Sequence, residues 1–212
     1  LKSAGGRDVT INLFSYGGSA AEGLAIYDQL ARYSGKVTVV IDGVAASAAS
    51  LLAMAADRLV MPSNALLMIH DPWQTTAGNA ESLRTSAAML DTFSESYRAT
   101  YARKSGASEE QVTTWMAAGS GAGTWFSAAE ALEAGLADEV TAPAEIKAAA
   151  PRLPAGRFHG APEALAQWSD QVQLSPTSVS PMTVNTQAQA PKAAEPSAAE
   201  LRRENDIRRC AA

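Results

Sequence analysis

Two side chains in the first third of the chain have the types needed for nucleophilic acyl transfer. Ser47 follows Gly43-Val-Ala-Ala and precedes Ala48, where a β-branched apolar run gives way to an alanine-rich run. His70 directly follows a second apolar run, Leu66–Ile69. A serine hydroxyl attacks a carbonyl carbon when a neighbouring imidazole accepts its proton. The two residue types therefore permit covalent chemistry on an acyl group, provided that the fold brings them together.

Each of these residues also has a simpler interpretation, which the local sequence leaves open. A serine at the start of a helix commonly accepts hydrogen bonds from the free N–H groups of the first turn. A histidine at a strand end is commonly a surface residue or a core residue with satisfied hydrogen bonds. The segment around Ser47 is not the Gly-x-Ser-x-Gly elbow of the α/β-hydrolases. His70 is the better base, because the other histidine, His159, lies in a Pro/Gly-rich segment.

A glycine pair, Gly17-Gly18, follows the first predicted strand. A turn that needs positive φ would account for it. Alternatively, the bare backbone lets a substrate chain approach and offers N–H donors to a developing oxyanion. Ligands of α/β sheets gather at the carboxyl ends of parallel strands. The glycine pair and Ser47 each follow such a strand, so we expect a site at this edge of the sheet.

The segments that must position these residues alternate between strand and helix patterns. Apolar runs predict strands at Val9–Phe14, Lys36–Ile41, Arg58–Met61 and Ala65–Ile69, with Gly43 ending the second. Capping signals and helical spacing predict helices from Ser19 to near Gly35, over Ser47–Ala56, from Asn79 to about Ser105, over Ser108–Ala118, and from Ser127 to Gly135. This alternation predicts an α/β domain that closes near Val140.

Composition and charge exclude several functional classes. The 212-residue chain has a net charge of −5 and no basic block, so nucleic acid is not an expected partner. The longest apolar stretch, Val44–Ala56, is too short and too rich in alanine and serine to cross a bilayer. Cys210 is the only cysteine, and no signal-peptide pattern opens the chain. We therefore expect a cytoplasmic protein without membrane association.

The composition shifts beyond Pro143 to Ala, Pro, Gln, Ser and Thr without a sustained apolar period. Such a sequence buries too little apolar surface to fold by itself. We therefore predict one domain at residues 1–143, a low-complexity linker or disordered tail at residues 144–196, and a short charged helix at residues 197–212.

Four segments form an ordered set of motifs. They are Ser15-Tyr-Gly-Gly18 with the following Gly23-Leu-Ala-Ile-Tyr-Asp28, Gly43-Val-Ala-Ala-Ser-Ala48, Met68-Ile-His-Asp-Pro72, and Trp125-Phe-Ser-Ala-Ala-Glu-Ala-Leu-Glu-Ala-Gly-Leu-Ala-Asp138. In this order they resemble the proteolytic subunit of the Clp protease family, which has a crotonase-like α/β fold. The match covers about Val9 to Val140, and it implies a serine-type endopeptidase.

The resemblance also implies roles for individual residues. Ser47 would be the nucleophile and His70 the general base. The oxyanion hole would use the backbone N–H groups of Ala48 and of Gly17, the latter in the motif shared with Gly18. No metal or organic cofactor is implied.

Self-association and polypeptide substrates are further implications of the resemblance. Family members form homo-oligomeric rings, and the long helix, here Asn79 to Ser105, would mediate contacts between rings. An ATP-driven unfoldase of the AAA+ class is one partner to consider. The low-complexity tail and terminal helix are similar to those of Clp-type head-maturation proteases of phages and prophages. Phage scaffold and capsid proteins would then be the substrates.

The acid of the catalytic triad does not carry over. In the family it lies just before the last motif, where an ungapped alignment places Gly123, and no Asp or Glu occurs from Gln111 to Ala129. Asp71 is adjacent to His70, but successive strand residues point to opposite faces, and Asp138 lies a helix away. We therefore expect a slow enzyme, an imidazole oriented by a carbonyl or water, or an inactive protein.

Two other positions depart from the family pattern. Tyr16 replaces the proline that usually precedes the glycine pair. The family domain also has a further strand and helix before the segment that begins here at Leu1, so we expect the N-terminus to be truncated.

Two alternatives stay open from the sequence. A non-catalytic Clp-like subunit with a structural or assembly role is favoured by Gly123 and opposed by Ser47 and His70. An acyl-CoA enzyme of the related crotonase fold would hold a thioester enolate with paired backbone amides. That class needs no serine–histidine pair and usually places carboxylates in its site.

Overall fold

The computed structural model describes residues 1–143, which form one six-stranded sheet and five α-helices after a 3-10 turn at Lys2–Ala4. The strands are β1 (Val9–Ser15), β2 (Val37–Ala46), β3 (Arg58–Pro62), β4 (Leu66–Ile69), β5 (Thr124–Ser127) and β6 (Glu139–Thr141). The helices are α1 (Ala20–Ala31), α2 (Ala48–Ala53), α3 (Ala80–Ser105), α4 (Glu109–Gly121) and α5 (Ala128–Glu133). The predicted α/β class is confirmed.

Strand β2 lies at the centre of the sheet. The strand order is β5-β4-β2-β3-β6, and β1 also pairs with β2. All pairs are parallel except β4 with β5. Parallel neighbours require long crossover connections, which is why helices separate most of these strands in the sequence.

The prediction that Gly43 ends the second strand is wrong, because β2 continues through it to Ala46. The first half of β2, at Thr38–Val40, pairs with β3, and the second half, at Val44–Ala46, pairs with β4. Gly43 lies between these halves with φ of 104°, a value that L-residues rarely adopt. The glycine therefore allows β2 to change neighbours, and the strand delivers Ser47 directly from its end.

Helix α2 packs closely on α1 because both present small residues at the contact. A Cβ atom at Gly23 of α1 would lie only 2.9 Å from the Ala48 Cβ. All but one of the six residues of α2 are buried. Close packing of small side chains leaves little freedom for the segment that begins with Ser47.

The long helix α3 matches its predicted bounds. Asn79 caps it by accepting a hydrogen bond from the Ser82 N–H at 2.9 Å. Its first three turns are mostly exposed, whereas its second half buries Tyr97 and Tyr101. Near its end, Lys104 Nζ lies 2.6 Å from Asp138 Oδ2.

The Asp138 carboxylate links α3 to the sheet, because its Oδ2 also accepts the Leu59 N–H at 2.6 Å. Asp138 therefore fixes the C-terminal end of α3 to the domain. Asp138 has a structural role in this arrangement.

Strand β5 was not predicted, because its short Trp125-Phe-Ser run precedes a capping box and was interpreted only as the start of α5. The box itself is formed, with Ser127 and Glu130 bonded reciprocally. Helix α4 loses helical geometry at Ala118–Ser120, and the chain then enters β5 antiparallel to β4.

The predicted linker and terminal helix, together with His159 and Cys210, lie outside the described residues. Among residues 1–143, no helix is both long and apolar enough to span a membrane.

Candidate active site

Ser47 has a backbone conformation that few residues other than glycine adopt. Its φ is 58° and its ψ is −130°, a combination that costs about 1–3 kcal/mol for an L-residue. Although Ser47 holds the N-cap position of α2, its side chain does not cap the helix. The simpler interpretation of Ser47 as a capping residue is therefore wrong, and its hydroxyl is directed elsewhere.

His70 is the residue that the Ser47 hydroxyl meets. The distance from His70 Nε2 to Ser47 Oγ is 2.8 Å, within the range for proton transfer from a nucleophile to a base. The sheet creates this contact, because Ala46 at the end of β2 pairs with Met68 near the end of β4. Ser47 and His70 then leave adjacent parallel strands at the same edge.

The predicted glycine pair lies beside Ser47. A Cβ atom at Gly17, which has φ of +85°, would lie 2.7 Å from the Ser47 Cβ and 2.9 Å from the Ala48 nitrogen. Only glycine therefore fits at this contact. The Gly17 N–H donates to Ser15 Oγ at 3.2 Å in this structure. The Ala48 N–H belongs to the first residue of α2, where helix N–H groups lack intrahelical acceptors.

A cavity of about 320 Å³ lies over Ser47 and His70. Its other lining residues include Gly18, Trp73, Gln74, Thr75 and Tyr97, and no Asp, Glu, Lys or Arg of the described residues lines it. Burial raises the pKa of Tyr97 to about 12, so its phenol stays neutral. The cavity therefore offers several neutral hydrogen-bonding groups, among them the Tyr97 phenol.

A second, smaller pocket of about 140 Å³ adjoins the glycine pair. Its walls include the apolar side chains of Ile26, Ala48 and Leu52. Gly18 lines both cavities. The two cavities therefore share a bare backbone segment close to Ser47.

Gly123 lies directly against His70, and its backbone leaves no room for a side chain. A Cβ atom at Gly123, which has φ of +81°, would overlap the Ile69 carbonyl oxygen and the His70 Cβ, and would lie 2.9 Å from the His70 Cα. The Gly123 N–H is itself bonded to the Ala118 carbonyl at 2.9 Å. A carboxylate at position 123 would thus require the backbone between α4 and β5 to follow another path.

Neither of the two nearby aspartates replaces the acid. The Asp71 N–H donates to the Met116 carbonyl at 3.3 Å, and Asp71 Oδ1 is buried without a hydrogen-bond partner among residues 1–143. Asp138 bonds Lys104 and the Leu59 backbone instead. No hydrogen bond within the described part of the chain connects either carboxylate to the imidazole.

Two buried hydroxyl groups near Ser47 were missed by the sequence analysis. Ser50 Oγ lies 2.7 Å from the Ser47 carbonyl oxygen and 2.9 Å from the Tyr101 hydroxyl. A serine inside the apolar run of α2 was the only available signal. Its partner is distant in sequence, so no local pattern could identify the pair.

Comparison with known proteins gives one consistent family. The family model described as Clp protease matches residues 2–144. The chain is 35% identical over 138 residues to the ATP-dependent Clp protease proteolytic subunit of Bacteroides fragilis. The aligned segment covers 64% of this chain and 64% of that protein. The chain is also 33% identical over 147 residues to the ATP-dependent Clp protease proteolytic subunit 1 of Streptomyces coelicolor. This aligned segment covers 68% of this chain and 65% of that protein. The chain thus spans less than two thirds of the length of these relatives.

Placing a carboxylate at position 123 by Gly123→Asp will not create a working triad. The new side chain would overlap Ile69 and His70. Positive φ destabilises an L-residue by about 1–2 kcal/mol, and we expect the overlap to add about 1–3 kcal/mol. Chemical denaturation will therefore show a lower free energy of unfolding, and a peptidase assay will show no gain in turnover.

Gly121→Asp is the matched control, because Gly121 has φ of +92° and no atom within 4 Å of its Cβ position. Its free energy of unfolding should fall only by the cost of positive φ, because the new side chain meets no neighbouring atom. If Gly123→Asp were as stable as Gly121→Asp and hydrolysed peptides faster than the parent protein, the steric interpretation would be wrong.

Proposed function

The chain belongs to the Clp protease family, and we propose that it is a serine-type endopeptidase with Ser47 as nucleophile and His70 as general base. The 2.8 Å contact between Ser47 Oγ and His70 Nε2 carries this proposal. The cavity over the pair supports it, because no Asp, Glu, Lys or Arg among residues 1–143 lines it and an extended polypeptide backbone carries no charge.

In the proposed reaction, His70 Nε2 takes the Ser47 proton as the hydroxyl oxygen attacks a peptide carbonyl carbon. The oxyanion of the tetrahedral intermediate accepts hydrogen bonds from the Ala48 and Gly17 N–H groups. The imidazolium then protonates the leaving amine, and water hydrolyses the acyl-enzyme. For Gly17 to take part, its N–H must share or exchange the present bond to Ser15 Oγ.

The orientation of the His70 ring affects the expected rate. In serine proteases an acid holds the imidazole tautomer and stabilises the imidazolium, and its loss lowers turnover by up to ~10⁴. We propose that close packing, including the backbone of Gly123, contributes to orienting the ring. The burial of His70, which is 4% exposed, and its contact with Gly123 support this role for packing.

The second candidate is a catalytically weak or inactive Clp-like subunit with a structural or assembly role. The specific observation in its favour is Gly123, whose backbone excludes an acid from the side of His70 that it occupies. In this case the Ser47–His70 contact would have no catalytic use.

A fluorophosphonate probe will label Ser47, as located by mass spectrometry of the digested adduct. Labelling should be absent in Ser47→Ala. It should be slower by at least about 100-fold in His70→Ala, because general-base catalysis commonly contributes 10²–10⁴. Ser63→Ala, which removes an exposed serine between β3 and β4, serves as the control and should be labelled like the parent protein.

Peptide hydrolysis that is unchanged in Ser47→Ala would refute the mechanism. No labelling of the parent protein, in a sample shown to be folded and assembled, would favour the structural subunit instead.

We further propose that the chain self-associates through the first half of α3. This half is mostly exposed and presents Leu83 and Met89, which are 44% and 47% exposed. Apolar side chains on an otherwise unpacked helix are typical of an interface. The resemblance to ring-forming proteases supports the same proposal.

Light scattering will accordingly give a mass that is a multiple of 22.0 kDa. The double variant Leu83→Glu/Met89→Glu should have a smaller mass, because charges at a buried interface are unfavourable. Leu132→Glu is the control, since Leu132 is 43% exposed on α5. A monomeric parent protein at all concentrations would contradict the proposal.

A narrower proposal concerns the substrate and the cellular setting. We propose that the protein acts in the cytoplasm on the scaffold and capsid proteins of an assembling phage shell. The similarity of residues 144–212 to the tails of phage head-maturation proteases supports it. A purified phage scaffold protein should then be cleaved faster than casein, and only when Ser47 is present. Equal rates would argue for general proteolysis.

A further inference from the structure

A buried chain of hydroxyl groups connects α3 with the backbone of the nucleophile. Ser50 in α2 and Tyr101 in α3 are both fully buried, at 0% exposure. Ser50 Oγ lies 2.7 Å from the Ser47 carbonyl oxygen and 2.9 Å from the Tyr101 hydroxyl oxygen. Neither side chain takes part in the reaction proposed above.

The direction of these hydrogen bonds follows from the number of protons. A carbonyl oxygen only accepts, so the single hydroxyl proton of Ser50 is donated to the Ser47 carbonyl. The Ser50 oxygen must then accept its second bond, which makes Tyr101 the donor. Burial raises the pKa of Tyr101 above its usual range, so its phenol keeps the proton. The two hydrogen bonds therefore run in one direction, from Tyr101 through Ser50 to the Ser47 carbonyl.

The carbonyl that this chain holds belongs to the peptide unit between Ser47 and Ala48. A peptide unit is planar and trans, so its C=O and its N–H point in opposite directions within one plane. Fixing the Ser47 carbonyl therefore fixes the direction of the Ala48 N–H. The Ser50 and Leu51 N–H groups bond the same carbonyl at 2.9 and 3.3 Å, and the Ser50 hydroxyl adds a third, shorter contact.

We propose that Ser50 and Tyr101 are positioning residues that aim the Ala48 N–H at the reacting carbonyl of the substrate. This inference rests on the proposed function, because it takes Ser47 as nucleophile and Ala48 as oxyanion donor. Donation by Tyr101 polarises the Ser50 hydroxyl and strengthens its bond to Ser47. The pair acts on the peptide plane and does not touch the substrate.

Helix α3 contributes to the site twice through this arrangement. Tyr97, one turn before Tyr101, lines the cavity over Ser47. The two tyrosine rings meet edge to face, with centroids 6.2 Å apart. A displacement of the second half of α3 would therefore alter both the cavity wall and the plane that carries the Ala48 N–H.

The test measures how fast a fluorophosphonate labels Ser47, together with kcat and KM for a short peptide, in Ser50→Ala and Tyr101→Phe. Loss of an oxyanion donor lowers kcat by about 10²–10³, so a misdirected donor should have a smaller effect. We expect labelling and kcat to fall about tenfold in Ser50→Ala and about threefold in Tyr101→Phe, with KM unchanged within about twofold.

The double variant distinguishes a relay from two separate effects. Because Tyr101 acts only through Ser50, Ser50→Ala/Tyr101→Phe should label no more slowly than Ser50→Ala alone. Ser50→Cys keeps a weak donor of similar size and should lie between the parent protein and Ser50→Ala.

Tyr33→Phe is the matched control for removal of a tyrosine hydroxyl. Tyr33 lies between α1 and β2, and its hydroxyl donates to the Arg7 carbonyl at 2.7 Å. This variant should label Ser47 at the rate of the parent protein. Thermal unfolding of every variant separates lost stability from lost reactivity.

Unchanged labelling and kcat in Ser50→Ala and Tyr101→Phe, with only a lower Tm, would overturn the positioning role. If the parent protein itself is not labelled, the proposed function fails. Hydrogen exchange of the backbone amides of residues 48–52 then tests the chain of hydroxyl groups independently of activity. Faster exchange in Ser50→Ala and Tyr101→Phe, but not in Tyr33→Phe, would support a hydroxyl chain that fixes this peptide segment. Unchanged exchange in all three would refute it.

Discussion

At Ser47 the chain turns from β2 into α2 within one residue, with φ of 58° and ψ of −130°, and the site depends on that turn. The turn directs the hydroxyl toward His70 and away from the helix that it would otherwise cap. An unfavourable conformation persists only where its surroundings fix it. Here the Ser47 N–H donates to the Met68 carbonyl at 3.0 Å, and the Ser47 carbonyl accepts from Ser50. The sheet and α2 thus hold the residue from both sides.

Residues without side chains allow the backbones around Ser47 to approach this closely. Gly17 lies against Ser47 and Ala48, and Gly123 lies against His70. In each case a Cβ atom would overlap a neighbour that the chemistry needs. The alanine-rich composition has the same consequence in α2, where Ala48 contacts Gly23 of α1. Ser47 and His70 are therefore held by closely packed backbone, which limits their motion.

The sequence predicts features that depend on neighbouring residues and fails for those that depend on distant ones. The bounds of α3 could be predicted because the Asn79 cap and the helical spacing are local. The extent of β2 could not, because Gly43 acts as a bend only when β3 and β4 occupy different halves of the strand. The roles of Ser47 and His70 came from the resemblance, and strand order creates their contact. Ser50 and Tyr101 meet only through the tertiary fold, so no pattern could reveal them.

The oxyanion hole contributes to the proposed reaction independently of the base. In a serine protease without a working triad, the oxyanion hole and substrate binding still supply about 10³–10⁴ over the uncatalysed reaction. In the proposed mechanism the Ala48 N–H belongs to that part, and the direction of that group is coupled to the Ser47 carbonyl. Since Tyr101 and Ser50 hold this carbonyl, the proposed activity would be sensitive to the position of α3.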